Sequence, residues 1–185
     1  MADVVLKTKK SLYARFLKRE ESAVTEVVLR YRAGLILFIN GYVKNSTVAE
    51  DLASDTFVRI LVKKPKLKNE NYFKTYLYKT GKNIALTYLR KNKKTIILND
   101  DLPYNDDPET LSIRNETRRN LINAIASLKT EYRQVLMLRY YDNMTIDDIS
   151  KITKRNKKQV YNELQRGKVA LKNILEKGGI YFEAD

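Results

Sequence analysis

The chain has no cysteine and no histidine. These absences remove thiol nucleophiles, disulfides, imidazole acid–base chemistry and the usual zinc sites. Carboxylates remain, so magnesium-dependent chemistry stays open on composition alone. No apolar run approaches the ~18 residues of a membrane span, and the first ten residues carry charges where a secretory signal needs its apolar stretch. The expectation is a cytoplasmic protein without membrane insertion. Proline is scarce as well: Pro65, Pro103 and Pro108 are the only three, and each falls where a helical pattern breaks.

Positive charge is abundant. Lys and Arg number 36 against 22 Asp and Glu, a net charge of +14 on 185 residues. Such an excess points to a polyanionic partner, and composition favours nucleic acid over an anionic membrane surface. With 43% hydrophobic and 31% charged residues the balance is globular, and the length suits one domain or two small ones.

Apolar spacing predicts helices almost throughout. Val24, Val27, Val28, Tyr31, Leu35, Phe38 and Tyr42 recur at steps of three and four, one face of a helix from Val24 to Tyr42. Thr47 with Glu50 has the form of a capping box opening a second helix, Val48 to Lys63, which Pro65 ends. A basic loop, Lys63 to Asn71, leads to a third helix from Tyr72 to Asn92 with Phe73, Leu77, Ile84 and Tyr88 inward. No strand alternation is present.

The composition changes after Lys94. Residues Thr95 to Ile113 hold Asp100, Asp101, Asp106, Asp107 and Glu109 and no Lys or Arg, a net charge of −5, together with two prolines. This stretch reads as an acidic flexible linker. Before it, Lys63 to Lys94 carries eleven basic residues against Glu70; after it, Lys151 to Lys177 carries nine against Glu163 and Glu176. The expected architecture is all-α: two small helical domains, 1–94 and 114–185, joined by the linker at 95–113.

The second domain has the pattern of a helix-turn-helix. Thr130 to Tyr141 is a helix with Val135, Leu136 and Leu138 apolar, broken at Asp142-Asn143. Thr145 caps a short helix with Asp148 as its reciprocal partner, and Ile146, Ile149 and Ile152 face inward. Thr153 to Asn156 make the turn. The last helix, Lys157 to about Leu175, packs inward through Val160, Leu164, Ala170 or Leu171, and Ile174. Its other side offers Lys157, Lys158, Tyr161, Asn162, Gln165, Arg166 and Lys168. Cations that neutralise phosphate or address guanine, with amides that pair with adenine, suit a major groove.

Three segments resemble the extracytoplasmic-function (ECF) sigma factors, subunits that give RNA polymerase its promoter specificity. AEDLASDTFVRIL, Ala49 to Leu61, is similar to their polymerase-binding helix in region two. YFKTYLYKTGKNIA, Tyr72 to Ala85, resembles their next helix, which handles the −10 promoter element. SLKTEYRQVLMLRYY, Ser127 to Tyr141, with the helix-turn-helix after it, resembles region four, which reads the −35 element. The resemblance runs from about Ala23 to Leu175. It implies an alternative sigma factor that binds core RNA polymerase and promoter DNA, with an anti-sigma factor as a further partner, no cofactor and no enzymatic activity.

The resemblance also implies residue roles. Asp51, Asp55, Phe57, Arg59 and Ile60 match the surface that docks on polymerase; Asp51, Asp55 and Arg59 share one stripe at steps of four, while Phe57 and Ile60 suit the core equally. Lys66 to Tyr72 matches a loop holding a base flipped from the −10 strand. Lys66, Lys68, Asn69, Tyr72, Tyr76, Lys79, Lys82, Asn83 and Arg90 are thereby expected on −10 DNA, where rings and cations replace lost stacking. Lys157, Lys158, Tyr161, Asn162, Gln165 and Arg166 are expected on −35 DNA. The chain departs from the family pattern at Tyr76, where Trp is usual, at Lys157 and Lys158, where a small apolar residue and Gly are usual, and at Glu163, where a base is usual. The linker is expected to run through polymerase toward the RNA exit channel.

Two other readings compete. A stand-alone helix-turn-helix regulator would bind operator DNA without polymerase; the first domain shows neither a ligand-pocket signature nor a dimerisation heptad. An enzyme acting on nucleic acid would use Asp51 and Asp55 as metal ligands, but no acid–base partner or glycine-rich phosphate loop accompanies them.

Overall fold

The computed structural model describes residues 11–67, 72–92, 121 and 123–179. Helix α1 (Leu12–Leu17) starts where the Ser11 hydroxyl accepts the Ala14 N–H at 3.2 Å. Helix α2 (Glu21–Val43) follows, then α3 (Ser46–Lys63) and α4 (Tyr72–Lys91). The cap of α3 lies two residues before the expected one. Asn45 Oδ1 takes the Val48 N–H at 3.0 Å, and Glu50 pairs with Arg32 on α2 at 3.0 Å instead of turning back to Thr47. Lys64, in left-handed conformation, ends α3 just before Pro65.

These four helices share a core that includes Phe16, Val27, Leu35, Phe38, Ile60, Leu77 and Tyr78. Phe73 sits amid the rings of Tyr13, Phe16 and Tyr31 with centroids 5.1–5.8 Å away, the tilted arrangements that ring quadrupoles favour. The α2–α4 contact is close because Gly81 brings no side chain: a Cβ there would lie 2.9 Å from Leu35 Cδ1.

The second module begins with a helical stretch at 123–127. Helix α5 (Thr130–Leu136) runs into a π-helical turn, Met137–Tyr141, so the single helix expected over Thr130 to Tyr141 changes register midway. Helices α6 (Ile146–Thr153) and α7 (Lys157–Lys177) complete the helix-turn-helix. Thr145 caps α6 as expected, accepting the Asp148 N–H. At α7, Asn156 and Gln159 form a full capping box, with bonds of 2.8 and 2.9 Å. Ile149, Ile152, Val160 and Leu164 are buried beneath the motif. Among the described residues there is no strand, and no helix is long and apolar enough to cross a membrane.

The modules do not hang apart. Helix α6 lies against α4, α5 and the π turn lie against α2, and one continuous apolar core spans both modules. The linker at 95–113 lies outside the described residues.

Candidate nucleic-acid interface

Helix α7 presents the surface its sequence promised. Lys157, Lys158, Tyr161, Asn162, Gln165 and Arg166 are all exposed, while Val160, Leu164 and Gly167 turn inward. Gly167 permits that seating, since a Cβ would stand 3.1 Å from Leu136 Cδ1. Lys157 is also held by Asp147 at 2.7 Å. The side chain of Lys168 lies over the exposed ring of Tyr140, 5.3 Å from its centroid, widening the cationic face toward the π turn.

Glu163, unusual at its position, faces inward: it pairs with Arg155 at 3.2 Å across the turn of the motif. Burial raises its carboxyl and Arg155 lowers it in opposition. The pair fixes α7 to the turn and removes no cation from the outer face.

The five residues expected on the polymerase side of α3 divide. Asp51, Asp55 and Arg59 form an exposed stripe. Phe57 (6% exposed) and Ile60 (1%) are core residues, so they support the stripe from beneath and do not belong to the outer surface. The exposed Val58 and Val62 stand on α3 instead. Among the described residues no cluster of three acidic side chains is placed to hold a metal.

On the −10 side, Lys66, Lys79, Asn83 and Arg90 are exposed and Tyr76 is half-buried. Lys68 and Asn69 lie outside the described residues. The Tyr72 ring is exposed but carries the Lys151 ammonium of α6, 5.0 Å from its centroid. Lys82 departs furthest from expectation. It is 9% exposed, and its ammonium donates to the Ile152 and Thr153 carbonyls at 3.2 and 2.7 Å. Those carbonyls belong to the last turn of α6, where intrahelical partners run out and a cation is favoured. Burial lowers the Lys82 pKa to about 8, aided by Arg155 and Lys154.

Further contacts join α4 to the helix-turn-helix. The Tyr78 hydroxyl donates to Asp142 Oδ1 at 2.6 Å, Thr75 donates to Asp148 Oδ1 at 3.0 Å, and Lys74 donates to the Asp142 carbonyl and pairs with its carboxylate. Burial and the neighbouring carboxylate hold the Tyr78 phenol protonated far above its ordinary range, so it is the donor. Burial also raises Asp142, against the pull of Tyr78 and Lys74. Sequence reading missed this set and took Asp142 only as a helix break. The available signal was the second stripe on α4: Thr75, Tyr78 and Lys82 recur at helical spacing beside the inward face of Phe73, Leu77 and Ile84.

Profiles of known families match both modules. Residues 27–95 match Sigma-70 region 2 and residues 118–171 match Sigma-70 region 4. The chain belongs to the sigma-70 family. Its relatives include the RNA polymerase sigma factor SigZ of Bacillus subtilis, 26% identical over 84% of this chain and 88% of SigZ. The ECF RNA polymerase sigma factor SigW of the same organism is 23% identical over 85% of this chain and 91% of its own. Among solved structures, the fold resembles CnrH, solved in complex with the cytosolic domain of CnrY, with TM-score 0.62 at 18% identity over 90% of this chain and 96% of that one. It also resembles the sigma factor RpoE of Bartonella quintana, solved with the anti-sigma factor NepR, with TM-score 0.65 at 16% identity over 83% and 96% of the two chains. In this sigma factor, α2 to α4 are therefore region two, and α5 to α7 are region four.

Proposed function

We propose that this chain is an alternative sigma factor of the ECF type, which binds core RNA polymerase and directs initiation at promoters carrying −10 and −35 elements. The observation that carries the reading is the pairing of a region-two module with a region-four module whose last helix exposes Lys157, Lys158, Tyr161, Asn162, Gln165 and Arg166 together. In this reading the Asp51, Asp55 and Arg59 stripe docks on polymerase. Helix α4 and the loop before it, Lys66, Lys68 and Asn69 included, take the −10 strand; Tyr72 and Tyr76 supply stacking surfaces, and Lys79, Lys82, Asn83 and Arg90 meet the backbone. Helix α7 enters the major groove at −35.

The linker at 95–113 bridges the two elements. Its 19 residues reach at most about 65 Å, and elements two helical turns apart are separated by about 70 Å, so the widths of the modules complete the span. The protein works in the cytoplasm, its role is binding rather than catalysis, and an anti-sigma factor is its natural regulator.

Run-off transcription with purified core polymerase on a library of upstream genomic fragments tests the reading. Transcripts from a discrete subset, absent without this chain, are expected. No binding to core, alongside tight binding of the chain alone to duplex operators, would replace the sigma factor with a stand-alone regulator.

A further inference from the structure

Helix α1 takes no part in the surfaces assigned to DNA or polymerase, and the match to region 2 begins after it, at residue 27. Its six residues do not hold a helix by themselves in water, so α1 exists through its contacts. The Ser11 hydroxyl caps it, and Phe16 is fully buried. Arg15 clasps it to the start of α2, pairing with Glu20 at 2.8 Å and donating to the Ser22 hydroxyl at 2.8 Å.

From that fixed position α1 reaches both ends of the loop between α3 and α4. On the α3 side, the Tyr13 hydroxyl donates to the Pro65 carbonyl, fifty-two residues further along the chain. Lys64, in left-handed conformation, has just ended α3 there, and Pro65 has no N–H of its own to tie the chain down. Leu67, two residues on, packs against the core. On the α4 side, the rings of Tyr13 and Phe16 lie on Phe73, 5.1 and 5.6 Å between centroids. Phe73 is buried in the first turn of α4, between Tyr72 and, one turn on, Tyr76. Tyr13 thus touches both ends of the loop with one side chain, through its hydroxyl and through its ring.

We propose that Tyr13 is a positioning residue for the −10 element: it brackets the loop, so that Lys66 leaves α3, and Tyr72 and Tyr76 enter α4, already arranged to receive the opened strand. This rests on the reading of α4 and its loop as the −10 surface. Tyr13 itself does not touch the DNA. Loop ends held in place before binding need not be ordered by the strand, and such ordering is a direct cost to affinity. Without the hydroxyl, the Pro65 carbonyl turns to water, which sets no direction for Lys66.

Tyr13→Phe isolates the effect, because it keeps the ring on Phe73 and removes the bond to Pro65. Tyr13→Leu removes the ring contact as well. The test uses the full chain with core polymerase on promoters found by run-off transcription, each compared with versions altered at the −10 or the −35 element. Open complexes are read by the permanganate reactivity of unpaired thymines. Tyr13→Phe should lower their formation on the matched promoter roughly threefold to tenfold, the range of one hydrogen bond, and should narrow the preference over the −10 variants. Preference over the −35 variants, core binding and helicity by circular dichroism should stay as in the unmodified chain. Tyr13→Leu should go further in the same direction, and amide exchange should rise at Lys66 and Leu67 in both. Unchanged exchange there overturns the bracket. A loss equal on every promoter leaves the −10 preference intact, makes Tyr13 a packing residue and overturns the positioning role. An unmodified chain that directs no transcription with core overturns the functional reading instead.

Discussion

The ammonium of Lys82 lies 2.7 Å from the carbonyl oxygen of Thr153, seventy-one residues further along the chain. That bond joins region two to region four in this sigma factor. It takes a cation from a helix rich in them and uses it to finish a helix of the other module. A residue that sequence places on DNA is thus a structural cap in this fold.

The buried position of Lys82 predicts a pH dependence. Its pKa falls from 10.5 to about 8, chiefly by burial and further by Arg155 and Lys154. The folded chain therefore holds this proton less tightly than an unfolded one in which Lys82 meets water. Below pH 8 both states carry the proton and Lys82 adds no pH dependence. Between pH 8 and 10.5 unfolding takes up a proton at Lys82, so its contribution to stability rises by up to about 1.4 kcal/mol per pH unit. Denaturant titrations at about pH 7.5 and 9.5 should show this rise in the unmodified chain and its loss in Lys82→Met. An identical pH dependence in the two proteins contradicts the assignment.

The exposed and buried sides of α3 should separate in mutagenesis. Reversing charge at Asp51 and Arg59 should weaken association with core polymerase and leave the melting temperature unchanged, because both side chains are in water. Phe57→Ala should instead cost about 3–5 kcal/mol of stability, the usual result of emptying a core site. Calorimetry beside a core-binding titration distinguishes them. Unimpaired core binding by the charge reversals would move the docking surface elsewhere.

Arg166 on the outer face of α7 should read a base. Arg166→Ala should cost about 1–3 kcal/mol at the −35 element when holoenzyme affinities for matched and mismatched promoters are compared. Equal weakening on both promoters would assign Arg166 to phosphate alone.

Asn156 should matter through the helix it starts. Asn156→Ala removes one half of the capping box with Gln159 and should lower stability by about 1 kcal/mol, read as a drop in melting temperature. Asn156→Ser should restore most of it.

Much of the fold was legible because it rests on periodicity. The inward faces of α2 to α4 and the helix-turn-helix follow from apolar steps of three and four, and the outer face of α7 follows from the same count. Caps were less secure, because neighbouring polar residues compete: Thr47 with Glu50 has the better motif, yet Asn45 reaches Val48 and Glu50 turns to Arg32. The π turn at Met137–Tyr141 is a one-residue change of register with no compositional mark. Helix α1 is too short to show a period. The packing of α4 on α6 joins residues some seventy positions apart, which no local period records, and Lys82 taken singly looks like any lysine of a basic helix.

The most direct test of the account is a footprint on one promoter fragment, by the chain alone and by the chain with core polymerase. The account predicts no discrete protection by the chain alone. With core it predicts protection at two sites about two helical turns apart, with unpaired bases at the downstream one. A sharp footprint by the chain alone, unchanged when core is added, would contradict it.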